Sequence, residues 1–76
     1  MLPADLCARL EAAGLPMDLE GMLGALPTVP GGRTVCLRED ARHGGWWAEN
    51  LSVLSFAPTK EEALAAWLLA AKEAQH

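Results

Sequence analysis

Cys36 and His43 are the residues whose types could act as a nucleophile and a general base. A cysteine nucleophile needs a base within hydrogen-bond reach, and a carboxylate such as Glu39 or Asp40 would have to orient that base. The spacing of Cys36 and His43 fits no local signature of a cysteine enzyme. A strand cysteine and a solvated loop histidine explain both residues, so we expect no catalytic residues and no enzymatic activity.

Metal and phosphate sites are also not predicted. A metal ion needs three or four ligands at local spacing. The chain's thiol and imidazole groups are scattered, at Cys7, Cys36, His43 and His76. The glycine pairs at 31–32 and 44–45 lack the pattern of a phosphate-binding or dinucleotide-binding loop and are typical of turns. We therefore expect no cofactor.

The adjacent pair Trp46-Trp47 is the strongest candidate for function. Neighbouring residues of a strand point to opposite faces, so the two rings cannot enter one core. Trp46 shares its face with Ala48, which suits the interior, whereas Trp47 shares its face with the charged Glu49. Trp47 is then covered by the N-terminal helices or a second copy, or it forms the centre of an interaction surface. The predicted partner-binding residues are Trp47, Glu49, Arg38, Glu39, Asp40 and Arg42.

Length and charge limit the class of protein. The 76 residues allow a single small domain over 1–76, and half of them (51%) are hydrophobic. The net charge of −4 argues against direct binding to nucleic acid, which needs a basic face. No signal peptide and no membrane-spanning stretch is evident, so we expect a cytoplasmic protein with two reduced cysteines. A homodimer stays open.

The N-terminal half predicts two helices. Leu2, Leu6, Leu10 and Ala13 share one helical face, which ends at Gly14 and Pro16. Asp18 is a good N-cap for a second, short helix that ends at Pro27. The apolar stripe of this second helix consists of Leu19, Met22, Leu23 and Leu26.

The second half predicts strands and a closing helix. Alternation over 33–39 indicates a strand, followed by a loop over 40–45. Residues 46–49 and 52–57 form two more strands with Asn50 at a turn between them; one bent strand over 46–56 is the alternative. A capping box of Thr59 and Glu62 begins the last helix. The apolar stripe of this helix is Leu64, Trp67, Leu68 and Ala71.

These elements predict an α+β fold in the order ααβββα. A small three-stranded antiparallel sheet has one face to cover, and the C-terminal helix is the natural cover. The N-terminal helices join the same layer or pack at the sheet edge.

The sequence also resembles two families. Residues 9–13 (RLEAA), the pair Trp46-Trp47 and the proline-threonine start of the segment 58–66 resemble small phage and prophage proteins of the phage ABA-sandwich type. Residues 59–64 (TKEEAL) resemble the helix start of HicB-like antitoxin domains. Neither resemblance implies catalytic residues.

The phage resemblance, the small size, the acidic charge and the tryptophan pair together point to an inhibitor. We expect a non-enzymatic protein that binds a host protein or nucleoprotein complex, such as a CRISPR effector, in the cytoplasm of the host cell. It would block a basic nucleic-acid surface by steric occlusion or by charge mimicry. A HicB-like antitoxin or regulatory module is the alternative.

Overall fold

The computed structural model describes residues 2–50 and 53–73. Its helices and strands are α1 (Ala4–Ala12), α2 (Leu19–Ala25), β1 (Cys36–Asp40), β2 (Gly45–Glu49), β3 (Leu54–Ala57) and α3 (Lys60–Glu73). The strands form an antiparallel sheet in the order β1-β2-β3, and α3 packs on it. The predicted α+β fold and its ααβββα order are confirmed.

The two N-terminal helices begin and end close to the residues that the sequence indicates. Gly14 adopts a left-handed φ of 73°, and the amides of Gly14 and Leu15 close the end of α1 on the carbonyls of Glu11 (3.1 Å) and Leu10 (2.8 Å). The Asp18 carboxylate accepts the Gly21 amide at 2.9 Å and caps α2. The α2 stripe is only partly right, because Met22 is fully buried but Leu23 is 44% exposed.

The first strand begins later than predicted. Gly31 has a left-handed φ of 78°, and Gly32–Thr34 forms a single 3₁₀ turn. The Thr34 hydroxyl donates to the Gly31 carbonyl at 2.9 Å, a local bond that competes with strand pairing. The strand predicted over 33–39 is therefore Cys36–Asp40.

Two different turns connect the strands. Residues 41–44 form the β1–β2 turn, where Gly44 takes a left-handed φ of 69°. Asn50 makes the β2–β3 turn: its amide donates to the Val53 carbonyl (3.0 Å), and its side-chain oxygen accepts the Val53 amide (2.7 Å). The predicted break at Asn50 is confirmed. The predicted start of the third strand at Ser52 lies outside the described residues.

Helix α3 forms the centre of the core. The Glu62 amide donates to the Thr59 hydroxyl at 3.2 Å, which confirms the Thr59 half of the predicted capping box. The predicted stripe is buried throughout, with Trp67 completely inaccessible. Further buried residues of α3 are Ala63, Ala65 and Leu69. Because α1 and α2 also pack against α3, this helix is buried on more sides than the one facing the sheet.

Candidate functional site

The two faces of the sheet have different surroundings. On the covered face, Trp46 and Leu37 pack against the core, and Ala48 and Ala57 are buried. Alternation along the strands and the pairing register place a second set of residues on the opposite face. We call this the open face; it consists of Cys36, Arg38, Asp40, Gly45, Trp47, Glu49, Leu54 and Phe56. Its Leu54 and Phe56 side chains are 59% and 42% exposed.

An aromatic pair forms the centre of the open face. Trp47 and Phe56 are directly opposite each other on β2 and β3, and their ring centroids lie 4.9 Å apart at an interplanar angle of 56°. Tilted pairs of this kind are favoured by the ring quadrupoles. A Cβ atom at Gly45 would collide with Cζ of Phe56. The glycine that begins β2 therefore leaves the space that the Phe56 ring occupies.

The Asp40 carboxylate is hydrogen-bonded to the Trp47 ring and to residues of the adjoining turn. The Trp47 indole Nε1–H donates to Asp40 Oδ2 at 3.1 Å, and His43 Nδ1 lies 2.8 Å from the same oxygen. The amides of Arg42 and His43 donate to Asp40 Oδ1 at 3.1 and 3.2 Å. Since a carboxylate can only accept, His43 Nδ1 carries the hydrogen and Nε2 is the other ring nitrogen.

This hydrogen bonding stabilises the charged form of the Asp40 carboxyl group. The indole of Trp47, followed by His43, lowers the pKa of Asp40 from 3.8 to about 2. The carboxylate is therefore ionised at every physiological pH, and the position of the Trp47 ring is tied to a permanent negative charge.

A charged pair also borders the aromatic centre. Arg38 Nε lies 3.4 Å from Glu49 Oε1, diagonally across β1 and β2. The two side chains are 60% and 34% exposed, so the pair contributes little to stability. It neutralises both charges beside Trp47.

The structure brings together four of the six predicted partner-binding residues. Trp47, Glu49, Arg38 and Asp40 share the open face. Arg42 lies in the adjoining turn and is exposed. Glu39 is not part of this group, because it pairs with Trp46 and therefore lies on the opposite face.

Leu54 and Phe56 of the open face were not among the predicted partner-binding residues. The signal was available, because Leu54 and Phe56 alternate with Ser55 in a predicted strand. What was missing was the register between β2 and β3, which decides that Phe56 is opposite Trp47.

Cys36 and His43 do not lie within hydrogen-bond reach of each other. Cys36 begins β1 and Asp40 ends it, a separation of about 13 Å at the usual strand rise. The His43 ring is bonded to Asp40, whereas Cys36 Sγ lies 3.9 Å from the Thr34 carbonyl. Among residues 2–50 and 53–73, no group of three or more His, Cys, Asp or Glu side chains could hold a metal ion. His76 lies outside the described residues.

One shallow groove lies away from the sheet. Arg9, Ala12 and Ala13 of the α1 region and Leu69, Lys72 and Glu73 of α3 line it. An exposed ion pair, Arg9 Nη2 to Glu73 Oε1 at 3.1 Å, crosses it.

Comparisons with known protein families, with curated proteins and with solved structures found no match. Among the helices of the described residues, none has the length and apolar character needed to cross a bilayer.

Proposed function

We propose that this chain is a non-enzymatic interaction protein of phage or prophage origin, and that its open face binds a host protein and inhibits it. The observation that supports this function is the apolar group on the face opposite the helices, in which Leu54 and Phe56 are exposed and Trp47 is half-buried against Phe56. Tryptophan is enriched at the energetic centres of protein interfaces.

The polar groups of the open face favour a protein partner. Interfaces typically have an aromatic centre with depleted charge and a polar rim. Around Trp47, Asp40 is hydrogen-bonded to the indole and to His43, and Arg38 is paired with Glu49. A partner that covers the rings therefore meets charges that already have hydrogen-bonding partners.

The same pairing favours steric occlusion over charge mimicry. A mimic of nucleic acid needs carboxylates that can receive the basic residues of its target. On the open face, Asp40 and Glu49 already bind groups of this chain. The apolar centre is then the surface that holds the partner, and the bulk of the domain blocks the partner's functional site.

A defence complex that acts on nucleic acid, such as a CRISPR effector, is the target class we propose. This choice follows from the resemblance to small phage proteins and from the net charge of −4. An acidic domain is attracted to the basic surface of such a complex and repelled by free nucleic acid.

Affinity capture with matched variants tests the proposal. The tagged chain, Trp47→Ala and Leu23→Ala are incubated with lysate of the bacterial strain that carries the gene. Leu23 is the control because it is an exposed apolar residue that lies on α2, away from the open face. We expect one stoichiometric protein to bind the native chain and Leu23→Ala but not Trp47→Ala.

Three outcomes would contradict the proposal. These are the absence of any stoichiometric partner, a partner that Trp47→Ala retains, and a partner that is a toxin encoded by the neighbouring gene. The last result would establish the antitoxin alternative. If the partner is a defence complex, the native chain should also restore plating of phage on the defended strain, and Trp47→Ala should not.

A further inference from the structure

The two edges of the sheet differ in charge. β1 and β3 are both edge strands, since β2 lies between them. β1 carries the consecutive charges of Arg38, Glu39 and Asp40, whereas Leu54–Ala57 carries none. Charged edges discourage pairing with another chain, and an uncharged edge permits it.

The backbone direction at β3 follows from the turn beside it. The Asn50 amide donates to the Val53 carbonyl at 3.0 Å, in the same register as the ladder between β2 and β3. Backbone groups alternate in direction along an antiparallel strand. The amide and carbonyl groups of Ser55 and Ala57 therefore face β2, and those of Leu54 and Phe56 face away from the sheet.

The outward-facing residues are also the exposed ones. Leu54 and Phe56 are two of the four large hydrophobic residues exposed among residues 2–50 and 53–73. The same two positions thus combine an unpaired edge backbone with an apolar side chain that is left in water.

We propose that β3 pairs antiparallel with β3 of a second copy, centred on Ser55, to form a continuous six-stranded sheet. In this register Leu54 of each copy exchanges backbone hydrogen bonds with Phe56 of the other. The same pairing sets Leu54 against the Phe56 ring at both ends, and aliphatic–aromatic pairs across strands are favourable. The contact is two-fold symmetric and closes, so no further copy is added.

Two copies of this edge fit each other, because neither carries a charge and each presents the same Leu54 and Phe56 to its partner. Their pairing also enlarges the open face. Strands of five, five and four residues make a face of roughly 14 by 17 Å, or about 240 Å² of projected area. A typical interface buries about 800 Å² per partner. Pairing of the β3 edges joins two open faces into one surface of twice the width.

Hydrogen exchange of the purified chain tests this pairing at single residues. Amide exchange is measured by NMR in dilute and concentrated solution, alongside sedimentation to establish the mass. We expect a dimer to form as the protein concentration is raised. The amides of Leu54 and Phe56 should then exchange more slowly. The amides of Ser55 and Ala57, bonded within the chain, serve as internal references.

Substitutions that introduce a charge, at the β3 edge or away from it, give a matched pair of variants. Leu54→Lys should weaken the dimer about tenfold, since each dimer loses two cross-strand pairs. Leu23→Lys, which adds the same charge at a similarly exposed position on α2, should dimerise like the native chain. Circular dichroism of both variants checks that the fold is retained.

Two results would overturn the proposal. One is a chain that stays monomeric at the highest concentration reached. The other is a dimer in which the amides of Leu54 and Phe56 gain no protection, because a face-to-face contact would leave the edge open. Neither measurement uses a host protein, so the outcome is independent of the function proposed for the open face.

Discussion

Trp46 and Trp47 are neighbours in β2, and their side chains contact different parts of the molecule. Trp46 packs against the core, and the Lys60 ammonium lies 5.8 Å from its ring centroid. Trp47 points to the open face, where Asp40 and Phe56 hold its ring. Both side chains are half-buried, but Trp46 contacts the core and Trp47 contacts residues of the open face.

The two tryptophans show that side chains on the covered face and on the open face are held by different interactions. On the covered face, burial of apolar area favours any side chain that fits beneath α3. On the open face, the half-buried Trp47 ring is fixed by one hydrogen bond to Asp40 and one ring contact with Phe56. Changes on the covered face should therefore affect folding, and changes on the open face should affect binding.

The largest effect should follow replacement of Trp67, which lies beneath the covered face. Trp67→Ala removes a fully buried ring and the hydrogen bond from its Nε1–H to the Val53 carbonyl at 3.2 Å. Such changes cost roughly 3–5 kcal/mol, enough to unfold a marginal domain. Urea unfolding followed by circular dichroism measures the loss. A variant that unfolds cooperatively at the native midpoint would show that α3 does not organise the core.

The next effect separates the two neighbouring tryptophans. Trp47→Ala should leave the domain folded and cost about 2 kcal/mol or more in affinity for its partner. Trp46→Ala should lower the free energy of unfolding more than Trp47→Ala does, because Trp46 packs against the core. Urea unfolding of both variants and titration calorimetry with the captured partner measure the two quantities. If the two variants are equally stable and Trp47→Ala binds its partner normally, the two faces do not have these different roles.

A smaller effect tests the start of α3. Thr59→Ala removes the side chain that accepts the Glu62 amide and should cost about 1 kcal/mol of stability. Thr59→Ser keeps the hydroxyl and is the control. Thermal unfolding of the three proteins compares them; an unchanged midpoint in Thr59→Ala would mean that the helix is held by packing alone.

The smallest effect concerns pH and the open face. The pKa of Asp40 falls from 3.8 in the unfolded chain to about 2 in the folded one. Its contribution to stability is therefore complete above pH 3.8 and is lost as the pH falls towards 2. NMR titration should give the Asp40 carboxyl group and the Trp47 indole N–H a common midpoint near 2. A midpoint near 3.8 would show that the carboxylate does not hold the ring.

Local sequence signals were sufficient for most helix ends and turns. Gly14, Asp18, Asn50 and Thr59 each act through bonds to residues within five positions. Such bonds depend on residue type and spacing, and both are visible in the sequence. Where several local options compete, the outcome was less predictable: Thr34 bonded to Gly31 and delayed the start of β1.

The faces to which the two tryptophans point could also be predicted from the sequence. The residues that contact each ring could not. Strand alternation alone separates Trp46 from Trp47, and Ala48 and Glu49 indicate which of the two is inside. The same alternation places Glu39 on the other face of the sheet from Trp47, although proximity in sequence had included it with the site. Leu23 was placed on a buried stripe by helical spacing, but a short helix packed at the edge of the core leaves it exposed.

The sequence by itself determined the order of the elements, the caps and the two-faced character of β2, because these depend on interactions between residues close in the chain. Tertiary structure alone decided that Phe56 meets Trp47, that Asp40 holds the indole, and that the uncharged β3 lies at an edge. These features depend on strand register and order, which are set by how the whole chain buries its apolar surface around α3.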